Sequence, residues 1–142
     1  LDKVKYLLDE TIDKCYPAWY GPEVIAYFKE YHSREQILNR ARNGYMLVAF
    51  ETDLLVGIGA VIEQYVSSVY IRESYQGKGV GKKIITELLE YASMQKTPRL
   101  TLDATPGSVV FYKSFGFKVL EEKVQWVNEK FALPYSVMEK VF

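Results

Sequence analysis

Cysteine and histidine are nearly missing from this chain: Cys15 and His32 are the single examples of each among 142 residues. One thiol cannot close an internal disulfide, which excludes a disulfide scaffold and makes a reducing compartment, the cytoplasm, the expected location. The same scarcity leaves no ligand spacing for a metal centre and makes a Cys-His nucleophilic pair improbable. An excess of one charge is also missing, since 18 Lys and Arg balance 18 Asp and Glu. No global field attracts nucleic acid or an anionic membrane, so neither is an expected partner. A run of eighteen apolar residues and a secretory signal pattern are both lacking at the start of the chain, and neither a membrane span nor secretion is expected. Repeats, linkers and low-complexity stretches are absent too, so residues 1–142 read as a single domain. The chain begins at Leu1 rather than Met and enters a helical pattern almost at once, which leaves trimming of an N-terminal piece open.

What is present is a clear alternation of periods. Val4, Leu7, Leu8, Thr11, Ile12 and Cys15 recur at helical spacing and predict a first helix ending before Pro17. Pro22 suits the first turn of a second helix with Val24, Phe28 and Tyr31 on its buried face. Ser33 followed by Gln36 is a capping-box pattern for a third, carrying Ile37, Leu38 and Ala41 inward and stopping at Asn43-Gly44. From Tyr45 the period becomes that of strands: Tyr45 to Glu51, Leu54 to Ile62, and Val66 to Arg72, read as consecutive and antiparallel. Val80, Ile84, Leu88, Tyr91 and Ala92 return to a helical stripe, and Leu100, Leu102 and Ala104 alternate as a strand. Thr105 and Pro106 open a further helix through Phe115, Gly116 ends it, and two long strands close the chain around Asn128-Glu129-Lys130. This order predicts an α+β or mixed α/β fold, a largely antiparallel sheet flanked by helices.

Gln76-Gly77-Lys78-Gly79-Val80-Gly81 lies between a strand and a helix, so free backbone N–H groups at the helix start can converge on one anion, such as a pyrophosphate. Alternate glycines remove the Cβ atoms that would block a phosphate, and Lys78, Lys82 and Lys83 add positive charge. The P-loop is excluded, because Gln76 stands where its first glycine belongs and Lys83 where Ser or Thr is required. The dinucleotide fingerprint is excluded because Lys82 occupies its last glycine position. The hexapeptide instead resembles the Gln/Arg-x-x-Gly-x-Gly/Ala signature of the GNAT superfamily of N-acetyltransferases, and the preceding Val69-Tyr70-Ile71-Arg72-Glu73-Ser74-Tyr75 resembles that family's fourth strand and its exit loop. Phe111-Tyr112-Lys113-Ser114-Phe115-Gly116-Phe117 is similar to the family's Phe-Tyr-x-x-x-Gly-Phe stretch, in register behind the glycine turn. The likeness runs from about Gly44 to the end. It implies the GNAT-like sheet, whose usual first strand is here either trimmed or missing.

The resemblance also implies a chemistry: transfer of an acetyl group from acetyl-CoA, as cosubstrate, to a primary amine by direct attack. Gln76, Gly77, Lys78, Gly79, Val80, Gly81 and Lys82 would hold the pyrophosphate, and a splayed fourth strand would leave backbone at Val69, Tyr70 and Ile71 free to pair with pantetheine. Tyr112 stands where the family's general acid stands; a phenol with pKa near 10 is protonated at neutral pH and can serve a thiolate. Its competing reading is packing with Phe111 and Phe115. Thr105 departs from an Asn common seven residues before the Tyr, and serves either as a cofactor contact or only as a helix cap. The amine must lose a proton, and Glu63 and Glu73 are the carboxylates nearest the expected cleft in sequence, with Glu63 favoured. His32, at a helix junction, reads as a cap or surface residue. Tyr16-Pro17-Ala18-Trp19-Tyr20, Trp126 and Tyr135 line the acceptor side or pack the core. The acceptor is a small-molecule or peptide amine. The last strands suit edge-to-edge pairing in a homodimer, and an acyl-CoA-binding regulator without turnover is the alternative function.

Overall fold

The computed structural model describes residues 1–18 and 20–142. Trp19 lies outside them. The elements in chain order are α1 (Asp2–Cys15), a 3-10 turn (Tyr16–Ala18), α2 (Pro22–Tyr31), α3 (Arg34–Asn43), β1 (Tyr45–Glu51), β2 (Leu54–Ile62) and β3 (Tyr65–Ile71). A 3-10 turn (Glu73–Tyr75), α4 (Val80–Met94), β4 (Arg99–Ala104), a third 3-10 turn (Pro106–Ser108), α5 (Val109–Lys113), β5 (Lys118–Trp126) and β6 (Ala132–Val141) complete the order. The six strands form one sheet in the order β1-β2-β3-β4-β6-β5. Every neighbouring pair is antiparallel except β3 and β4, which are parallel. The mixed, largely antiparallel sheet flanked by helices is the expected class. No strand precedes α1 among the described residues.

Two cores flank the sheet. Leu7, Leu8 and Ile12 of α1 pack with Val24 and Phe28 of α2, Ile37 of α3 and the sheet residues Leu55, Ile58 and Tyr70. On the opposite side Ile84, Ile85 and Leu88 of α4 pack with Val61, Leu100, Leu102, Tyr112 and Phe117. β2 is covered on both faces, which explains why Leu54 to Ile62 reads as a nearly continuous apolar run instead of an alternating one. Its glycines let α4 come close: a Cβ on Gly57 would lie 2.8 Å from Ile84 Cδ1, and one on Gly59 would overlap the Ile84 side chain. That seating fixes where the N-terminus of α4 points.

Three local expectations change. On α3, Ile37 and Arg40 face inward while Ala41 is exposed, because the Arg40 guanidinium has hydrogen-bond partners inside. Tyr31 is exposed on one side and covers Arg40 with its ring, 5.1 Å from the guanidinium carbon. The segment after β4 begins as a 3-10 turn, since the Ser108 N–H and hydroxyl both donate to the Thr105 carbonyl, at 2.9 and 3.0 Å. Elsewhere the starts agree: Ser33 Oγ accepts from the Gln36 N–H, and Pro22 opens α2. β5 is an edge strand with Leu120, Val124 and Trp126 exposed. No helix among the described residues is long and apolar enough to cross a membrane.

Because α4 rests on bare backbone, Gly59→Val forces Ile84 out of its place and lowers stability by about 1–3 kcal/mol. Urea denaturation measures it, and an unchanged midpoint would rule out this close seating.

Candidate functional site

β3 and β4 run in parallel but meet at one registered pair, Tyr65 with Thr101. Beyond that point β3 has no partner on its β4 side, and the gap is one wall of a cleft of about 680 Å³. Unpaired backbone at the edge of a buried strand needs a hydrogen-bonding partner from elsewhere.

The glycine turn closes one end. Gly77 and Gly79 have φ of +76° and +88°, a conformation that costs side-chain-bearing residues about 1–2 kcal/mol, and neither would find any atom within 4 Å of an added Cβ. Lys83 N–H makes the first helical bond, to the Gly79 carbonyl at 3.1 Å. The N–H groups of Val80, Gly81 and Lys82 therefore lack intrahelical acceptors, and the start of the 15-residue α4 has no side-chain cap. A small anionic group fits that arrangement in charge and in space.

Gln76, Gly77, Gly79, Gly81, Lys82, Val69, Tyr70, Ile71, Thr105 and Tyr112 all line this one cleft. The glycine turn and the aromatic helix, about thirty residues apart in sequence, meet where Gly81 packs on the Phe111 ring. Other expected residues stand elsewhere. Lys78 does not line the cleft; its ammonium sits 5.3 Å from the centre of the Tyr75 ring. Val80, the first residue of α4, is half-buried and packs against the core on that side of the sheet. The Ile71 carbonyl is already taken by Gln76 Nε2 at 3.0 Å, so of the predicted free backbone that group is engaged. Glu63 is exposed in the β2–β3 turn with φ +55°, at the end of β3 away from the glycines, and does not reach the cleft. Glu73 lies in the turn after β3 and also stays outside it.

The carboxylate that does line the cleft is Asp103, which accepts a hydrogen bond from the Tyr65 hydroxyl at 3.1 Å. Sequence reasoning missed it because it sits in a strand read only for its alternating apolar residues. Tyr112 is buried, with Phe111 and Phe117 edge-on to its ring, and burial pushes its phenol well above its ordinary pKa. Thr105 Oγ1 meets Ser108 Oγ at 3.1 Å and does not cap the helix. Thr11 Oγ1 and Ser68 Oγ, both lining the cleft, are buried without a hydrogen-bond partner among the described residues. Tyr16, Tyr20 and Tyr135 line it as well, while Trp126 is exposed on the outer edge.

His32 corrects the sequence reading most sharply. It is 2% exposed, bonded through Nδ1 to Arg40 and through Nε2 to Tyr70, at 2.7 and 2.9 Å. Burial, and then the charges of Arg40 and Lys5, hold its pKa down at about 3.

The model of the acetyltransferase (GNAT) domain matches residues 17–137. The chain belongs to the GNAT acetyltransferase family. Among solved structures, a GCN5-related N-acetyltransferase from Rhodopseudomonas palustris superposes with a TM-score of 0.87 at 19% identity, covering 99% of this chain and 90% of the other. The PaiA N-acetyltransferase of Thermoplasma acidophilum, solved with coenzyme A, gives 0.78 at 22% identity, covering 99% and 92%. At those identities the likeness establishes the fold. A curated relative, the [citrate [pro-3S]-lyase] ligase of Haemophilus influenzae, is 30% identical over 84 residues, which is 58% of this chain and 25% of that protein. The matched part of the GNAT chain therefore spans about a quarter of that longer relative.

A histidine with a depressed pKa in the folded GNAT domain binds its proton more readily when unfolded. Its stabilising contribution is complete above the unfolded pKa of about 6.5 and is lost as pH falls toward the folded value of about 3. The expected loss from this residue is about 2 kcal/mol between pH 7 and pH 5, from about 1.4 kcal/mol per unit. Denaturant titration at both pH values should find it, and His32→Gln should remove that part of the pH slope.

Proposed function

We propose that this chain is an N-acetyltransferase that moves an acetyl group from acetyl-CoA to a primary amine by direct attack. The observation that carries the reading is the parted β3–β4 pair, which runs from a bare, glycine-built helix start to Tyr112 within one cleft. Acetyl-CoA supplies, when bound, an acetyl thioester and a thiolate leaving group.

The residues present fit that molecule. The α4 start and Lys82 would hold its pyrophosphate, with the open space at Gly77 and Gly79 admitting it. Free β3 backbone at Val69 and Tyr70 would pair with the pantetheine amides as an added strand, and Ser68 Oγ is an unpartnered group in the same wall. A backbone N–H of that edge would also polarise the thioester carbonyl. Tyr112 would donate its proton to the departing sulfur, and its raised pKa keeps the phenol protonated at neutral pH.

On the acceptor side, an amine with pKa near 10.4 arrives charged and must lose a proton. Asp103 is the carboxylate in position to take it directly or through water, and it takes over the part that Glu63 had on sequence grounds. Tyr20 and Tyr135 supply apolar walls with polar tips for a small-molecule or peptide amine. A cytoplasmic location fits the single free thiol of Cys15. The exposed edge of β5 suits pairing with a second copy, which a concentration-dependent solution mass would detect and a strictly monomeric one would refute.

Calorimetric titration with acetyl-CoA should give binding that Gly79→Glu removes, and no binding to the folded wild type would sink the reading. Tyr112→Phe should leave that binding intact while lowering kcat by about 10²-fold or more. An unchanged kcat would take Tyr112 out of the chemistry. If acetyl-CoA binds and no amine is acetylated in a broad screen, the chain is a regulator rather than an enzyme.

A further inference from the structure

Among the described residues that line the cleft, Asp103 is the one carboxylate, and Lys82, at the glycine turn, is the one Lys or Arg. Two more carboxylates share the sheet face of Asp103. Asp103 pairs with Val137, which pairs with Glu121, and Thr101 of the same strand pairs with Glu139. Both of those carboxylates already face cations, Glu121 with Lys123 at 3.7 Å and Glu139 with Arg99 at 3.0 Å. Asp103 has no ion-pair partner among the described residues, and its bond is from the Tyr65 hydroxyl at 3.1 Å. An unmatched carboxylate in the wall of a cleft favours one incoming cation.

Around that carboxylate the walls are aromatic. Tyr135 stands on β6 two residues from Val137, so it shares the Asp103 face as a diagonal neighbour, at the spacing of about 7–8 Å over which long side chains still meet. Tyr20 reaches the same strand: its hydroxyl donates to the Pro134 carbonyl at 3.3 Å, and its ring lies 5.8 Å from Tyr16 and 5.6 Å from Phe28. The phenol protons here are committed within the protein. Tyr16 donates to Tyr70 at 3.0 Å, Tyr20 to Pro134 and Tyr65 to Asp103. These residues therefore offer a guest ring surface instead of free donors. A body rich in hydroxyls would lose its water there with few donors in return, whereas a flat apolar body fills the space and sets its ammonium among rings that favour a cation.

We propose that the acceptor is a primary amine with a single positive charge and an aromatic body, an arylalkylamine whose ammonium pairs with Asp103 while its ring packs among Tyr135, Tyr20 and Tyr16. The proposal rests on the reading of this chain as an N-acetyltransferase and narrows the acceptor of that reading. A diamine or polyamine brings a second ammonium that finds no second carboxylate in the cleft and meets Lys82 toward the glycine turn. In the transfer, the amine nitrogen forms a C–N bond to the acetyl carbon as the C–S bond breaks and its electron pair stays on sulfur. Of the two protons that the ammonium nitrogen loses, one goes to Asp103 and on to solvent, and the other makes good the one that Tyr112 gives to sulfur.

Matched amines provide the test. At saturating acetyl-CoA, kcat/KM for 2-phenylethylamine should exceed that for n-butylamine by about tenfold or more, the range for burying additional apolar carbon in a pocket. For 1,4-diaminobutane, which has the same four carbons as n-butylamine and one more charge, kcat/KM should fall by about tenfold or more below n-butylamine. Tyr135→Ala should shrink the gap between the two monoamines by about tenfold, and Tyr135→Phe should keep it, since the ring and not the hydroxyl makes the contact. Calorimetric binding of acetyl-CoA shows that each variant is folded. Equal kcat/KM for the two monoamines, or a gap that Tyr135→Ala leaves whole, overturns this inference. So does a clear preference for the diamine, for an aminoglycoside or for an Ala-initiated peptide over 2-phenylethylamine, and each of these leaves the transferase reading standing. Acetyl-CoA binding with none of these amines acetylated sinks the reading beneath it and this inference with it.

Discussion

The parting of β3 from β4 is the constraint on which the rest of this molecule depends. Two parallel strands that touch at Tyr65 and Thr101 and then diverge leave backbone groups without partners inside the fold. Proteins rarely bury such groups unpaired, so a gap of this kind is stable only as the wall of a solvated or ligand-filled cleft. The flanking layers hold it open. α4 is pressed onto β2 by the glycines beneath Ile84, and its N-terminus is thereby brought to the mouth of the gap. α1 and α2 cover the other face through Leu8, Ile12 and Phe28 and carry Tyr16 to the cleft wall.

Charge inside the cleft is arranged with similar economy. The loop end has Lys82 and the bare helix start, the far side has Asp103, and the middle is lined by phenols that burial keeps protonated. Burial holds the Tyr70 and Tyr112 phenols far above their ordinary range and pushes Tyr16 up to about 12. His32 is neutral there for two reasons acting together: it is desolvated, and two cations face it.

Much of this was legible in the chain itself. Helical spacing marked α1, α2 and α4, Ser33 and Pro22 marked two helix starts, and the change of period at Tyr45 marked the sheet. Local rules suffice for these because caps, turns and amphipathic faces depend on residues within one or two turns of each other. Gln76 to Gly81 and Phe111 to Phe117 likewise disclosed the family, since each motif is contiguous. Reading stopped where a residue's role depends on partners far along the chain. Arg40 stands in a polar helix where no local pattern marks it for burial, yet its guanidinium is bonded to His32 and the Tyr31 carbonyl. Glu63 looked close to the cleft in sequence, but a tight turn with positive φ carries it outward.

By itself the sequence determined the order of elements, the glycine-rich turn and the aromatic helix, because these are short-range consequences of spacing, glycine and proline. Only the tertiary structure decided which carboxylate meets the cleft, and that the lone histidine is buried with Arg40 on one side and Tyr70 on the other. Those outcomes depend on how helices dock across a sheet. A displacement of a few ångströms there separates a hydrogen bond from a solvated surface charge, and no local pattern encodes it.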